Sequence, residues 1–169
     1  MEDFLKAGKQ TEMVNLLEAT KEDVADIVNI HKDCILKTNS KTYSENVVKE
    51  WVNQINEKNV LDQFSNTKWL VLKEANSTVG FCQYDLDGEE LYQIQIDPSF
   101  QGKGYGKFLY SFIERDFINN RKEKISLFAT LNAVPFYESL GFKKVKSIEF
   151  PLDNEKIEMV EMAKCFKEN

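Results

Sequence analysis

The chain has 169 residues, of which 42% are hydrophobic and 30% charged, with seven glycines and three prolines. This length and composition are typical of one folded domain over residues 1–169 and exclude a low-complexity or fibrous chain. A net charge of -6 repels phosphate backbones on average, so we expect no nucleic-acid partner.

The sequence shows no signal for a membrane, for export or for a metal. No run of eighteen apolar residues is present, and residues 1–10 have neither a basic region nor an apolar core, so we expect a cytoplasmic protein without a membrane span. The three cysteines, Cys34, Cys82 and Cys165, are widely spaced, and the sequence has one histidine. This set predicts reduced thiols, and neither a disulfide framework nor a metal site.

The first third of the chain is predicted to be mainly helical. Residues 1–10 show no periodicity and are predicted to be a flexible extension of the domain. A short strand is predicted over 13–18. Apolar residues then recur at helical spacing over 21–38 and over 45–58, which predicts two amphipathic helices.

The rest of the chain alternates between strand and helix patterns. Strands are predicted over 68–73, 78–84, 90–96, 124–129, 145–150 and 157–163, and helices over about 104–117 and 133–140. Gly141 suits the left-handed position that follows a helix. This order predicts an α/β fold of mixed α+β type, with a mostly antiparallel sheet of about seven strands and helices on both faces.

The segment QGKGYG, Gln101 to Gly106, places three glycines directly before a predicted helix. Backbone N–H groups without neighbouring side chains, at the positive end of a helix dipole, favour a phosphate or pyrophosphate. The spacing excludes a Walker A loop, because Lys107 is followed by Phe108 instead of Ser or Thr. It also excludes the GxGxxG dinucleotide loop, whose third glycine is replaced here by Lys107.

Two motifs together resemble the GCN5-related N-acetyltransferase (GNAT) superfamily. Gln101–Gly106 matches Q/R-x-x-G-x-G/A, and Ala133–Phe142 matches A-x-x-F-Y-x-x-x-G-F about thirty residues later. The resemblance covers about residues 13–164 and implies a GNAT-like fold. It also implies an acyltransferase that moves an acetyl group from acetyl-CoA to a primary amine, by direct attack. The alternative is a non-catalytic acyl-CoA-binding sensor or regulatory module.

The resemblance also implies which residues contact acetyl-CoA. The main chain of β-strand residues 94–96 would pair with the pantetheine arm, and the loop would cradle the pyrophosphate. The set is Ile94, Gln95, Ile96, Gln101, Gly102, Lys103, Gly104, Tyr105, Gly106, Lys107 and Asn132. Two assignments stay open: Lys103 either reaches a phosphate or is solvated, and Thr130 is an alternative to Asn132.

The family pattern places Tyr137 beside the sulfur as general acid, although an aromatic residue that only packs the helix is the alternative. Glu90 stands where some relatives carry a glutamate that acts as base through water, or it is a solvated turn carboxylate. His31, on the apolar stripe of the first helix, is either a hydrogen-bonded core residue or a proton relay. We expect a small amine as acceptor and a monomer or homodimer, with no metal.

Overall fold

The computed structural model describes residues 3–7 and 12–167, with side chains from Met13 onwards. The strands are β1 (Asp3–Ala7), β2 (Glu12–Glu18), β3 (Lys68–Glu74), β4 (Ser77–Asp85), β5 (Glu90–Ile96), β6 (Lys124–Thr130), β7 (Lys143–Pro151) and β8 (Lys156–Cys165). The helices are α1 (Val24–Lys37), α2 (Glu45–Asn53), α3 (Glu57–Gln63), α4 (Tyr105–Asn119) and α5 (Val134–Ser139). None of these helices is long and apolar enough to cross a membrane.

The strands form one sheet in the order β1-β2-β3-β4-β5-β6-β8-β7. Neighbouring strands are antiparallel except β5 and β6, which run parallel and are connected through α4. The predicted mixed, mostly antiparallel sheet with helices on both faces is therefore confirmed.

The sheet has one strand more than the seven predicted. β1 lies within the predicted flexible extension and pairs with β2 from Asp3↔Leu16 to Ala7↔Glu12. The other residues of that extension, 1–2 and 8–10, lie outside the described part of the chain. The prediction missed β1 because backbone pairing to a sheet edge requires no particular side-chain pattern.

The predicted single helix over 45–58 is wrong, because two helices occupy this region. Ser44 caps α2 as its side chain accepts a hydrogen bond from the Val47 N–H at 3.3 Å. The Asn56 side chain accepts from the Asn59 N–H at 2.9 Å and starts α3. Asn is a favoured residue at such N-cap positions. The new helix that Asn56 starts interrupts the single helix that the apolar spacing predicted.

The helices cover opposite faces of the sheet. Leu70 and Leu72 on β3 pack into the same apolar cluster as α4, whereas the alternating Trp69 and Val71 pack with α1 and α3. Side chains of successive strand residues point to opposite faces, so β3 contributes to both apolar layers. A third small cluster joins α1 and α2 to Ile157 of β8.

The sheet splits in its middle. β5 and β6 are in register at one pair, Glu90↔Ser126, and the Ser126 N–H donates to the Glu89 carbonyl at 2.9 Å. β4 and β5 also change register between Gln83 and Tyr84. A bulge of this kind bends a strand and re-aims its side chains. Beyond Ser126 the two parallel strands diverge, and the gap between them opens the cleft described next.

Candidate active site

The gap between β5 and β6 leads into a cleft of about 840 Å³. Its walls come from β5, the loop and first turn of α4, the end of β6, α5 and the inner face of α1. Twelve of the thirteen predicted site residues line it: Glu90, Ile94, Gln95, Ile96, Gln101, Gly102, Gly104, Tyr105, Gly106, Lys107, Asn132 and Tyr137. Residues from three separate parts of the sequence thus meet at one site.

The glycine loop has a backbone that only glycine adopts readily. Gly102 and Gly104 have φ angles of +82° and +87°, and an added Cβ would meet no atom within 4 Å at either position. Within residues 3–7 and 12–167, no atom thus covers these two glycines of the loop, which precedes α4, a helix of 15 residues. Exposed N–H groups at such a helix end fit a pyrophosphate.

Lys103 is the predicted site residue that does not line the cleft. Its ammonium lies 5.0 Å from the centre of the Phe100 ring. Lys107 in the first turn of α4 does line it. Of the two lysines, Lys107 thus contributes to the wall of the cleft.

Two residues of the loop motif, Gln101 and Tyr105, form hydrogen bonds with other parts of the protein. The Gln101 amide donates to the Ile96 carbonyl at 3.1 Å, which ties the loop to the end of β5. The Tyr105 hydroxyl donates to the buried Glu74 carboxylate at 2.6 Å. The side chain of Tyr105 thus points into the interior, and only its backbone can serve the cleft.

Gly106 and the second motif meet directly. A Cβ on Gly106 would lie 3.3 Å from Cζ of Phe136, which is tighter than ordinary van der Waals contact. The missing side chain therefore lets α5 approach the first turn of α4. On the same side of the cleft, the Asn132 amide donates to Asn39 at 3.1 Å, and both Thr130 and Asn132 line the cleft.

Tyr137 lies on α5 and lines the cleft with only 7% of its surface exposed. Among the described residues, none forms a hydrogen bond with its hydroxyl. Burial, and to a lesser extent the neighbouring Cys82 thiol, raises the pKa of Tyr137 above its ordinary value. The phenol therefore keeps its proton at neutral pH.

A family model described as "Acetyltransferase (GNAT) domain" matches residues 39–166 of the sequence. The chain belongs to the GNAT family. This match includes the glycine loop, the end of β6 and α5, so the predicted resemblance is confirmed over the part of the chain that builds most of the cleft.

Solved structures support the same fold for this GNAT domain. A GCN5-related N-acetyltransferase from Rhodopseudomonas palustris superimposes with a TM-score of 0.84 at 18% identity, over 97% of this chain and 98% of that one. The PaiA N-acetyltransferase from Thermoplasma acidophilum, in complex with coenzyme A, gives 0.74 at 18% identity, over 90% and 99% of the two chains.

Curated relatives match over shorter stretches. The chloroplastic GCN5-related N-acetyltransferase 2 of Arabidopsis thaliana is 38% identical over 53 residues, which is 31% of this chain and 20% of that protein. This GNAT chain spans between 20% and 44% of the length of four curated relatives that it matches.

Glu90 of the GNAT domain lies at the vertex of the split, in the pair with Ser126. It lines the cleft together with Tyr92, which is 44% exposed. Partial burial and the adjacent Glu90 carboxylate raise the pKa of Tyr92. The structure thus brings Glu90 into the same cleft as Tyr137.

His31 on α1 lines the cleft from the opposite wall. Its ring makes an edge contact with Phe81, at 6.3 Å between centroids. No hydrogen bond joins it to another described residue, so His31 packs on the core without the hydrogen bond that the first of its two predicted alternatives included. Burial lowers the pKa of His31 to about 4, and its imidazole is neutral at pH 7. Cys82 is fully buried, and burial raises the pKa of its thiol to about 12.

Four glutamines form a chain of hydrogen bonds along the α1 face of the sheet, and we call Gln63, Gln83, Gln93 and Gln95 the glutamine row. Nothing in the sequence pattern indicated a role for Gln63 or Gln83. Gln83 is 2% exposed and lies directly opposite Gln93 in the register of β4 and β5. The row thus depends on the register of β4 with β5, which could not be predicted from the sequence pattern.

A second cavity of about 720 Å³ adjoins the cleft on the α1 side. His31, Trp51, Gln93 and Phe150 line both spaces. The side chains added around the second cavity are mostly amides and apolar groups from α2, α3 and the β7–β8 hairpin. Among the described residues, no group of three or more His, Cys, Asp or Glu side chains is placed to hold a metal ion.

Proposed function

We propose that this GNAT protein is an acetyl-CoA-dependent N-acetyltransferase that acetylates a primary amine of a small molecule by direct attack. The observation that carries the proposal is that the bare glycine loop at the start of α4, the diverging edge of β5 and Tyr137 all line one cleft. An anion site, a strand edge and a proton donor are what a pyrophosphate-linked thioester requires.

The donor would lie along the split. The N–H groups between Gly102 and Lys107 would hold the pyrophosphate, where the dipole of α4 adds favourable charge. The main chain of residues 94–96 would pair with the pantetheine arm, because β6 has already diverged from β5 at this level. The PaiA structure with coenzyme A supports this choice of donor at the level of the fold.

The chemistry uses groups from both walls. The amine nitrogen attacks the thioester carbonyl carbon, a C–N bond forms, the C–S bond breaks, and the sulfur leaves as a thiolate. Tyr137 would give that sulfur a proton, since its own phenol stays protonated in the cleft. Glu90 would accept the proton that the amine nitrogen loses, through water.

A calorimetric titration with acetyl-CoA tests donor binding. We expect the wild type to bind and Gly104→Glu to lose binding by at least about a hundredfold, because a carboxylate would occupy the pyrophosphate position. Gly104→Gln is the matched control: it carries the same backbone strain at φ +87° and a side chain of the same size without charge. A folded wild type that does not bind, or a Glu variant that binds as well as the Gln variant, would overturn the donor assignment.

Release of CoA thiol with a panel of primary amines tests transfer. We expect thiol release that depends on both acetyl-CoA and the amine. Tight acetyl-CoA binding without thiol release for any amine would instead favour the non-catalytic sensor, since the loop would then bind the donor without chemistry.

A further inference from the structure

The glutamine row is a continuous chain of side-chain amides that reaches the cleft. Gln95 Nε2 donates to Gln93 Oε1 at 3.3 Å, and Gln93 Nε2 donates to Gln83 Oε1 at 2.9 Å. Gln83 Nε2 in turn donates to Gln63 Oε1 at 2.7 Å. The row runs from α3 across β4 to β5, so its end at Gln95 lies on the strand that faces the proposed donor site.

The direction of the row is fixed from the far end by Thr67. The Thr67 hydroxyl donates its one hydrogen to the backbone carbonyl of Gln63 at 2.9 Å. It also receives the indole N–H of Trp69 at 3.0 Å, a group that can only donate. Gln83 must therefore present its nitrogen to Thr67, at 3.1 Å, and its oxygen to Gln93. The same argument applies to Gln93 and then to Gln95. The positions of the oxygen and the nitrogen in each side-chain amide therefore follow from its hydrogen-bond partners.

This direction leaves a carbonyl oxygen at the open end. The nitrogen of Gln95 is turned toward Gln93, and no described residue donates to Gln95 Oε1. Gln95 lines the cleft, on the opposite face of β5 from Ile94 and Ile96, which pack against the cluster of α4. Its side chain thus faces α1 and His31, while its main chain stays available to the donor.

The surroundings of this oxygen carry little charge. Among the described residues, the side chains that line the cleft include one carboxylate, Glu90, and one ammonium, Lys107. The adjoining cavity has one charged side chain, Asp62, which is paired with Lys58 at 2.7 Å. A substrate with several cationic groups would lose its hydration on entering these cavities. They contain too few carboxylates to compensate for that loss.

We propose that the glutamine row is the acceptor subsite and that Gln95 Oε1 accepts a hydrogen bond from an uncharged O–H or N–H group of the acceptor, while the amine to be acetylated lies nearer Glu90. The matching acceptor is a monoamine whose other polar groups are uncharged hydroxyls or amides, and not a polyamine. The side-chain N–H groups that make no hydrogen bond within the row, and the aromatic side chains of Trp51 and Phe150, match the uncharged part of such an acceptor. This inference rests on the proposed transfer reaction.

The first test compares two pairs of acceptors at one pH. Glucosamine and glycylglycinamide represent monoamines with hydroxyl or amide groups, and putrescine and spermidine represent polyamines. We expect kcat/KM to be at least tenfold higher for the monoamines. Calorimetric binding of the same four compounds to the CoA-saturated protein should give the same order. Preference for the polyamines in either measurement would overturn the inference.

The binding measurement separates this inference from the proposed reaction. Monoamine binding in the preferred order without any thiol release would refute the reaction and support the subsite. Thiol release with a preference for spermidine would support the reaction and refute the subsite.

A single substitution tests Gln95 directly. Gln95→Glu keeps the size of the side chain but adds a negative charge and removes the N–H that Gln93 receives. We expect the monoamine-to-polyamine ratio of kcat/KM, and of affinity, to fall at least tenfold. Asn66→Asp, an exposed position outside both cavities, adds the same charge and should leave the ratio unchanged. A ratio in Gln95→Glu equal to that in Asn66→Asp would refute the role of Gln95.

Discussion

The partly buried imidazole of His31 should make the protein lose stability as the pH falls. Burial lowers the pKa of His31 from 6.5 to about 4, so the unfolded state binds a proton at a pH where the folded state does not. The stabilising contribution is complete above the unfolded pKa and is lost as the pH falls toward the folded pKa. A shift of this size corresponds to about 3 kcal/mol in all, and to about 2 kcal/mol between pH 7 and pH 5.

Urea unfolding of the wild type and of His31→Gln, at steps between pH 7 and pH 5, measures this contribution. We expect the free energy of unfolding of the wild type to fall by about 2 kcal/mol more than that of the variant. The absolute stability of the variant does not enter, because only the two slopes are compared. Since the sequence has one histidine, its imidazole NMR signal gives the folded pKa separately. Parallel curves, with a signal that titrates near 6.5, would refute the burial argument.

Two further predictions concern catalysis. Tyr137→Phe should lower kcat/KM by about a hundredfold or more with an unchanged Kd for acetyl-CoA, as expected for a lost proton donor; unchanged turnover and an unchanged pH profile would show that Tyr137 only packs α5. Glu90→Gln should lower kcat/KM at pH 7 by about a hundredfold, with a deficit that shrinks as the pH approaches the pKa of the acceptor amine, because the amine then loses its proton without help. A deficit that is constant with pH would contradict the role of Glu90 as base.

The glycine loop and α4 could be predicted because their signals are local. Three glycines followed by a helical apolar stripe specify both a turn and a helix start, and the φ angles of Gly102 and Gly104 show why glycine is needed there. The same holds for Gly141 after α5, with φ +98°. Neighbouring residues carry all the information in these cases.

The break between α2 and α3 was missed because two local signals compete. Ile55 continues the apolar spacing of α2, while Asn56 caps a new helix, and spacing alone does not tell which wins. The glutamine row was missed for another reason. Gln63, Gln83 and Gln93 are far apart in sequence, and they meet only through the register of β4 with β5 and the position of α3.

The single register pair that joins β5 to β6 has a consequence for affinity. Since the two halves of the sheet share almost no backbone ladder, the width of the cleft is set by the apolar cluster under α4, where Leu91 of β5 and Ile125 of β6 pack with Leu109 and Ile113. A substitution in that cluster that removes one methylene, such as Ile113→Val, should therefore change the distance between β5 and β6 at the cleft, where these two strands would contact the ligand. Residues that never touch acetyl-CoA would then tune how tightly it is held.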